Sequence, residues 1–211
     1  MYLEKRIVNL SIKVKSKRED FLAFMDRHNL KVFSLIMEAK PNPAHIGLAE
    51  LERMGYLSSV ITQNVDGLHQ TAGNRNVIEF HGTHRTLSCL KCSTTIDGTV
   101  LKMEDLPPRC SRCSSLLKPD VVFFGEPIPW EAQVMSFKES KSCGAVLVIG
   151  TSAIVYPAAS IPVTAKERGA IIIEINMEPT PLTNGPRSLP RECACVQTRG
   201  FAFWIGQFQP H

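Results

Sequence analysis

Residues 61–84, ITQNVDGLHQTAGNRNVIEFHGTH, decide the fold because they hold a dense run of polar groups between β-branched segments. The apolar run Val60-Ile61 leads into the stretch, and the pair Val77-Ile78 lies inside it. Short β-branched runs of this kind are typical of buried strands. Open α/β sheets bind their ligands at the carboxyl ends of such strands. The stretch therefore predicts a strand end that presents polar side chains to a cleft, with a solvated hairpin loop as the alternative.

Two further segments predict a parallel sheet. Residues 143–150, CGAVLVIG, form a continuous apolar run that is typical of a central parallel strand, and residues 170–175, AIIIEI, form another. A helix is predicted over residues 158–168 between them, although Pro162 lies within it. Strand, helix and strand at this spacing indicate a right-handed parallel crossover. Together with strands predicted over residues 56–62 and 77–80, this order indicates an α/β fold.

Helices are also predicted over residues 19–39, 44–54 and 130–141 from the spacing of their apolar residues. In the second of these, Asn42 is the expected N-cap and Pro43 the first helical residue. In the third, Val134 and Phe137 are predicted to face the core. His45 lies in the first turn of its helix, where a surface or hydrogen-bonded histidine is the simplest interpretation.

The composition excludes several classes of protein. A hydrophobic content of 44% and a charged content of 21% are those of a globular chain with a sizeable core. A net charge of +4 is too small to indicate nucleic-acid binding without clustered Lys and Arg. The longest apolar runs are far shorter than a membrane span. We therefore expect no direct nucleic-acid partner and no membrane association, while the composition gives no oligomeric state.

The start of the chain and its cysteines indicate the compartment. The first ten residues, MYLEKRIVNL, lack the continuous apolar region of a signal peptide. Six basic residues among the first 18 leave an organelle transit peptide as an alternative to an edge strand over residues 8–14. The seven cysteines are an odd number and include two CxxC pairs, which favours metal ligands in a reducing compartment over a disulfide framework. The predicted location is intracellular, in the cytoplasm.

The two CxxC pairs predict a zinc site. They are Cys89 with Cys92 and Cys110 with Cys113, and residues 93–109 separate them, which is a four-cysteine zinc spacing. Two such turns complete a tetrahedron of thiolates and leave no position for a bound water, so the ion is predicted to be structural. Free thiols, a redox pair and an iron–sulfur cluster are the alternatives. A metal would stabilise a segment that has few apolar residues of its own.

Polar residues follow three of the predicted strands. They are Gln63, Asn64 and Asp66 after the first, Gly150, Thr151 and Ser152 after another, and Asn176 after the last. A glycine after a buried strand allows close approach of a ligand, and hydroxyl groups near a helix N-terminus suit a phosphate. No GxGxxG motif is present, so this pattern alone leaves a dinucleotide ligand open. His81, at the end of a strand, is the candidate acid or base, with a structural histidine as the alternative.

These residues belong to a series of short motifs that follow one another along the chain. PNPAH at 41–45, TQNVDGLH at 62–69, EFHG at 79–82, the paired CxxC, FFGE at 123–126 and GTS at 150–152 occur in one order. Together they closely resemble the sirtuins, the family of NAD-dependent protein lysine deacylases, over roughly residues 40–184. The resemblance implies a Rossmann-like NAD-binding domain over residues 1–84 and 119–184, with a small inserted zinc-binding module over residues 85–118.

The resemblance also implies a reaction. An acyl group leaves a lysine side chain and passes to ADP-ribose, while NAD is consumed and nicotinamide is released. In such a reaction His81 is the general base that draws a proton from a ribose hydroxyl. The residues around the nicotinamide and its ribose would be Gln63, Asn64 and Asp66, and those that hold the adenosine half would be Gly150, Thr151, Ser152 and Asn176.

The substrate of such an enzyme is an acylated lysine in a protein or peptide. Val121, Phe123 and Gly125 resemble the segment that pairs with an extended peptide by strand addition. That kind of pairing relies on backbone hydrogen bonds, so it predicts a loose preference for peptide sequence.

Two departures from the family are visible. The glycine-rich motifs GAGIS and GIPDFR are absent, residues 1–39 contain no glycine, and residues 185–211 match no family motif. These features predict a sirtuin that is truncated at its N-terminus, has an incomplete Rossmann-like sheet and ends in a divergent tail. The retained His81 favours an active deacylase. The missing loop favours the alternative, a catalytically inactive sirtuin-like zinc protein that binds acylated peptide or a partner.

Overall fold

A computed structural model of the chain describes residues 38–101, 107–176, 179–182 and 201–205. The described residues separate into two compact units. The sheet unit holds residues 40–82, 128–176, 179–182 and 201–205, and the cysteine unit holds residues 38–39, 83–101 and 107–127. The domain boundaries drawn from the sequence stay a prediction. The edge strand predicted over residues 8–14, and all but the last two residues of the helix predicted over 19–39, lie outside the described residues.

The helices and strands follow one another in an alternating order. They are α1 (Pro43–Arg53), β1 (Leu57–Thr62), α2 (Leu68–Ala72), β2 (Val77–Glu79), β3 (Gly82–Cys89), β4 (Thr95–Asp97), a 3-10 turn (Gly98–Val100), β5 (Leu117–Val121), α3 (Trp130–Ser142), β6 (Ala145–Ile149), α4 (Ser160–Glu167), β7 (Ile171–Ile175) and β8 (Phe201–Ile205). No helix among them is long and apolar enough to cross a membrane.

The sheet unit is built on a parallel sheet of strand order β2-β1-β8-β6-β7. Every pair of neighbouring strands is parallel. At one edge Ile205 lies opposite both Thr62 and Ile149, so the strands end nearly level. The α/β prediction is confirmed, including the parallel crossover between β6 and β7.

The middle of this sheet is filled by β8, the last strand among the described residues. β8 pairs with β1 on one side and with β6 on the other. It comes from the segment over residues 185–211 that matches no sirtuin motif. The tail of the chain therefore supplies the central strand of the sheet, which the sequence did not predict.

The helices begin and end close to where the sequence places them. At the start of α1 the Asn42 side chain accepts the backbone N–H groups of Ala44 and His45, at 3.0 and 3.1 Å, and Pro43 occupies the first turn. Pro162 also lies in a first turn, that of α4, where its missing N–H costs no helical hydrogen bond. In α3, Phe137 packs against the core as predicted, whereas the prediction for Val134 is wrong because its side chain is 44% exposed.

The core of the sheet unit lies between the sheet and its helices. Its members are apolar and almost fully buried, and the largest of them are Phe80, Ile61, Ile161, Ile172 and Val146. Burying each such side chain contributes about 1.5–3 kcal/mol. This core therefore holds the carboxyl ends of the strands in fixed positions.

The cysteine unit has a smaller sheet of strand order β4-β3-β5, in which β3 and β4 are antiparallel. Its core consists of Leu87 and Leu117 together with Cys89 and Cys110. β3 was not predicted, because the residues GTHRTLSC lack an apolar alternation that would mark a strand. With so few apolar residues in this core, the cysteines must contribute to its stability.

Candidate functional site

The polar residues of the sheet unit collect at the carboxyl edge of the parallel sheet. Because β1, β2, β6 and β7 are all parallel, the residues that follow them lie at the same edge. The predicted residues that come within two positions after these four strands are Gln63 with Asn64, His81, Gly150 with Thr151, and Asn176. This edge is where open α/β sheets bind ligands.

The loop after β1 is fixed by its own side chains. Gln63 is buried, with 5% of its surface exposed. The backbone N–H of Asn64 donates to Thr62 Oγ1 at 3.0 Å, and the N–H of Leu68 donates to Asp66 Oδ1 at 3.0 Å. Asn64 and Asp66 are themselves half-buried. The loop therefore offers an amide and a carboxylate in a preset geometry, which suits recognition of a polar ligand.

His81 follows β2 and is half-buried beside Phe80, with the two ring centroids 5.5 Å apart. Burial lowers the pKa of its imidazole, and an interaction with the Gln63 backbone partly offsets that decrease. The ring is therefore neutral at neutral pH, and a neutral imidazole can accept a proton.

The loops after β6 and β7 are tied to each other. Gly150 has a φ of 60°, and its N–H donates to the Ile175 carbonyl at 3.0 Å. The Asn176 side-chain amide donates to the Thr151 carbonyl. Thr151 is buried and its hydroxyl accepts the N–H of Ala153 at 3.1 Å, while the Ser152 side chain is exposed. Close backbone approach at Gly150 with an exposed hydroxyl beside it suits a phosphate or ribose group.

A buried histidine pair lies behind this edge, and the sequence did not predict it. The rings of His45 and His69 are 4.5 Å apart. Both line a cavity of about 20 Å³, together with Asn64 and Ile149, and such a volume has room for one water molecule. His69 is 2% exposed, and among the described residues neither of its ring nitrogens makes a hydrogen bond of full geometry, although an interaction with the Asn74 side chain partly offsets the lowering of its pKa.

The two rings differ in their hydrogen bonding. The Nδ1 atom of His45 lies 2.7 Å from Asn42 Oδ1, so His45 is a hydrogen-bonded residue of the α1 cap. Burial lowers the pKa of His69 to about 4. The pair carries no sequence signal, because its members meet only when α1 packs against α2.

In the cysteine unit the four predicted ligands come together. The Sγ atoms of Cys89, Cys92, Cys110 and Cys113 all lie within 4.8 Å of one another. Three of the separations are 3.4, 3.5 and 3.6 Å. A tetrahedral zinc ion with Zn–S bonds of about 2.3 Å separates its sulfurs by about 3.8 Å, whereas a disulfide needs about 2.05 Å. The four thiolates therefore fit a structural zinc ion.

The two CxxC turns have the same local geometry. Ser93 and Ser114 directly follow the second cysteine of each turn, with φ values of 55° and 56°. Their N–H groups donate to the carbonyls of Cys89 and Cys110, at 3.1 and 2.8 Å. Hydrogen bonds from the Thr94 side chain and backbone lower the pKa of the Cys92 thiol to about 6. That shift favours the thiolate form that binds zinc.

The predicted peptide-binding residues lie after β5 in the cysteine unit. Val121 is the last residue of β5, and Phe123 begins a turn in which the N–H of Glu126 donates to the Phe123 carbonyl at 2.9 Å. Gly125, inside this turn, has a φ of 87°, a conformation that favours glycine. The three residues therefore form one short segment with a defined backbone.

Comparison with known proteins identifies the family. The model of the Sir2 family matches residues 5–157. The chain belongs to the Sir2 family. This confirms the resemblance drawn from the ordered motifs, and the alternating α/β architecture agrees with it.

Several curated relatives of this Sir2 protein come from archaea. An "NAD-dependent protein deacylase" of Pyrococcus furiosus is 52% identical over 155 residues, which is 70% of this chain and 61% of the relative. An "NAD-dependent protein deacylase 2" of Pyrobaculum aerophilum is 50% identical over 151 residues, which is 71% of this chain and 59% of the relative. The chain spans about three fifths of the length of the curated relatives it matches.

Solved structures of Sir2 proteins share the fold. A mutant Sir2 homologue in complex with ADP ribose is 38% identical with a TM-score of 0.75, covering 89% of this chain and 74% of that one. A "Sir2 bound to acetylated peptide" is 35% identical with a TM-score of 0.67, covering 76% of this chain and 71% of that one.

Proposed function

We propose that this protein is an NAD-dependent protein lysine deacylase that transfers the acyl group to ADP-ribose and releases nicotinamide. The observation that carries the proposal is the set of polar residues, with a neutral His81 among them, at the carboxyl edge of the sheet in a Sir2-family chain. The archaeal relatives are named as deacylases, and nothing among them favours the inactive alternative.

NAD is the proposed co-substrate of the sheet unit. Gln63, Asn64 and Asp66 bind the nicotinamide and its ribose in this proposal, because they present amide and carboxylate groups on a loop that is already fixed. The adenosine half is assigned to the residues after β6 and β7, which are Gly150, Thr151, Ser152 and Asn176. The ADP ribose complex of a Sir2 homologue supports a ligand of this class.

His81 is the proposed general base. It accepts a proton from a ribose hydroxyl, which makes that oxygen a better nucleophile toward the acyl carbon once nicotinamide has left. The lowered pKa of His81 keeps the ring unprotonated and ready to accept that proton. The Gln63 backbone holds the ring in orientation.

The acylated lysine is the proposed substrate of the segment after β5. In this proposal the backbone of Val121, Phe123 and Gly125 pairs with an extended peptide. The structure of a Sir2 protein bound to acetylated peptide supports this substrate class. The zinc ion has no step in the reaction and stabilises the cysteine unit. The cysteines of the described residues form no disulfide, which favours a reducing location, and we propose the cytoplasm.

The test is a product assay on the full chain loaded with zinc. An acetyl-lysine peptide and NAD are incubated with the protein, and deacetylated peptide, nicotinamide and O-acetyl-ADP-ribose are followed by mass spectrometry. We expect all three in equal amounts. Replacing the base in His81→Ala should lower the rate by about 10²–10⁴-fold, the usual contribution of general base catalysis.

The matched control is His84→Ala, at a histidine of β3 three residues further along the chain with no assigned role, which should keep most of the activity. If the wild-type chain produces no nicotinamide above His81→Ala, the protein is not a deacylase. Deacetylation without consumption of NAD would equally contradict the proposal.

A further inference from the structure

Lys118 of β5 holds the segment that follows it. Its ammonium group donates to the Val121 carbonyl at 2.8 Å and to Glu126 Oε2 at 3.0 Å. It also lies 4.5 Å from the centroid of the Phe123 ring, within range of a cation–π contact. The side chain is only 16% exposed, so these contacts are poorly screened by solvent.

Glu126 holds the same segment from its other end. Its Oε2 atom accepts the Phe123 N–H at 3.0 Å as well as the Lys118 ammonium. Its own N–H donates to the Phe123 carbonyl, which closes the turn around Gly125. A charged pair therefore joins the end of β5 to the turn over residues 123–126, and we call this pair the Lys118–Glu126 clamp.

The clamp holds two backbone groups of the segment, so an added peptide strand pairs with the remaining N–H and C=O groups of residues 121–125. The Val121 carbonyl and the Phe123 amide are bonded to side chains of this segment. Their hydrogen bonds involve charged groups, which are stronger than those between neutral groups. The backbone over residues 121–126 is therefore ordered before a peptide arrives, and an ordered segment loses less conformational entropy when it binds.

We propose that Lys118 and Glu126 are positioning residues for the acyl-lysine peptide: the Lys118–Glu126 clamp presets the backbone over residues 121–126 for strand addition. The proposal rests on the deacylase function proposed above, because it assigns the peptide to this segment. A clamp that only stabilised the cysteine unit would be the structural alternative.

The experiment uses Lys118→Met and Glu126→Gln in the full, zinc-loaded chain. Steady-state rates give KM for peptide, KM for NAD and kcat, and fluorescence anisotropy gives the Kd of a labelled acetyl-lysine peptide. We expect KM and Kd for peptide to rise about tenfold, equivalent to about 1.4 kcal/mol. KM for NAD and kcat should stay within about twofold, because Lys118 and Glu126 belong to the cysteine unit and are not among the residues proposed for NAD.

Two further variants separate positioning from stability. Lys118→Arg keeps a cation that can donate to the Val121 carbonyl and to Glu126, and it should restore most of the peptide affinity. Glu50→Gln breaks an exposed ion pair with Arg53 in α1 and should change none of the constants. Zinc content and thermal unfolding are measured for every variant. Loss of zinc, or parallel changes in both KM values and kcat, would show a structural role and overturn the proposal.

The outcomes also separate this inference from the deacylase function. If the wild type deacetylates the peptide and both clamp variants keep its KM, the positioning role is wrong while the function stands. If the wild type neither binds acetylated peptide nor releases nicotinamide, both proposals fall together.

Discussion

The sheet unit and the cysteine unit of this chain are stabilised in different ways. The sheet unit buries large apolar side chains between a parallel sheet and its helices. Among the described residues of the cysteine unit, Leu87 and Leu117 are the fully buried large side chains, and the other buried members of their core cluster are cysteines. Hydrophobic burial therefore holds the residues proposed for NAD, whereas metal ligation holds the segment proposed for peptide. Conditions that affect one unit need not affect the other.

Removing the metal should give the largest difference in stability between the two units. A chelator, or Cys110→Ser, should unfold the cysteine unit, because zinc contributes an apparent ~10–16 kcal/mol in small four-ligand sites. Hydrogen exchange followed by mass spectrometry should show loss of protection over residues 83–127 and retained protection over residues 143–175. Cys143→Ser, which changes a cysteine outside the zinc cluster, is the control and should bind zinc normally. Unchanged protection over residues 83–127 without zinc would contradict the claim that metal ligation stabilises the cysteine unit.

A cavity created in the core of the sheet unit should have the next largest effect on the free energy of unfolding. Phe80 is completely buried, so Phe80→Ala should lower the free energy of unfolding by about 3–5 kcal/mol. Urea unfolding measures the change. Phe124 is 54% exposed, and Phe124→Ala should change the stability by less than about 0.5 kcal/mol. Equal losses in the two variants would mean that burial does not distinguish these positions.

Acid should destabilise the sheet unit through His69. Burial lowers its pKa from 6.5 to about 4 in the folded chain, so the unfolded chain binds the proton more tightly. The stabilisation is complete above pH 6.5 and is lost as the pH falls toward 4, with a total of about 3 kcal/mol. Burial also lowers the pKa of His45.

The measurement for His69 is urea unfolding at several pH values in the wild type and in His69→Phe. The difference between the two pH dependences gives the contribution of His69, separate from any acid sensitivity of the zinc site. We expect the pH dependence of His69→Phe to be flatter between pH 6.5 and 4. An identical pH dependence in both proteins would show that His69 does not titrate as its burial requires.

The smallest expected effect concerns Glu52. Its carboxylate accepts the Asn74 side-chain amide and the N–H groups of Arg75 and Asn76, at 2.8–2.9 Å, and so fixes the turn before β2. Glu52→Ala should cost about 1–3 kcal/mol because it leaves these donors without their acceptor. Glu50→Ala, which breaks an exposed ion pair with Arg53, should cost less than about 1 kcal/mol. A ranking in which Glu50→Ala is the more destabilising would refute this account of the turn.

Local patterns in the sequence predict most of this fold. The α1 cap at Asn42, the apolar strands β6 and β7, and the paired CxxC turns all depend on neighbours in sequence, and the structure has each of them. The edge that gathers Gln63, His81, Gly150 and Asn176 follows from parallel strands alone, since their carboxyl ends share one side.

Tertiary contacts explain what the sequence does not predict. β8 was missed because residues 201–205 pair with strands that are distant in the chain and match no motif. The inward orientation predicted for Val134 failed because helical spacing alone does not determine which residues meet the core. The His45–His69 pair depends on the packing of two helices. Each of these features depends on contacts between residues that are distant in the chain.

Titration of NAD into the zinc-loaded chain tests the central claim most directly, because that claim assigns cofactor binding to the carboxyl edge of the sheet unit. Calorimetry should show saturable binding of one NAD per chain. Asp66→Ala and Asn176→Ala should each weaken it about tenfold, and Glu50→Gln should leave it unchanged. Absence of saturable binding at about 1 mM NAD, or affinity unaltered in both edge variants, would contradict the account.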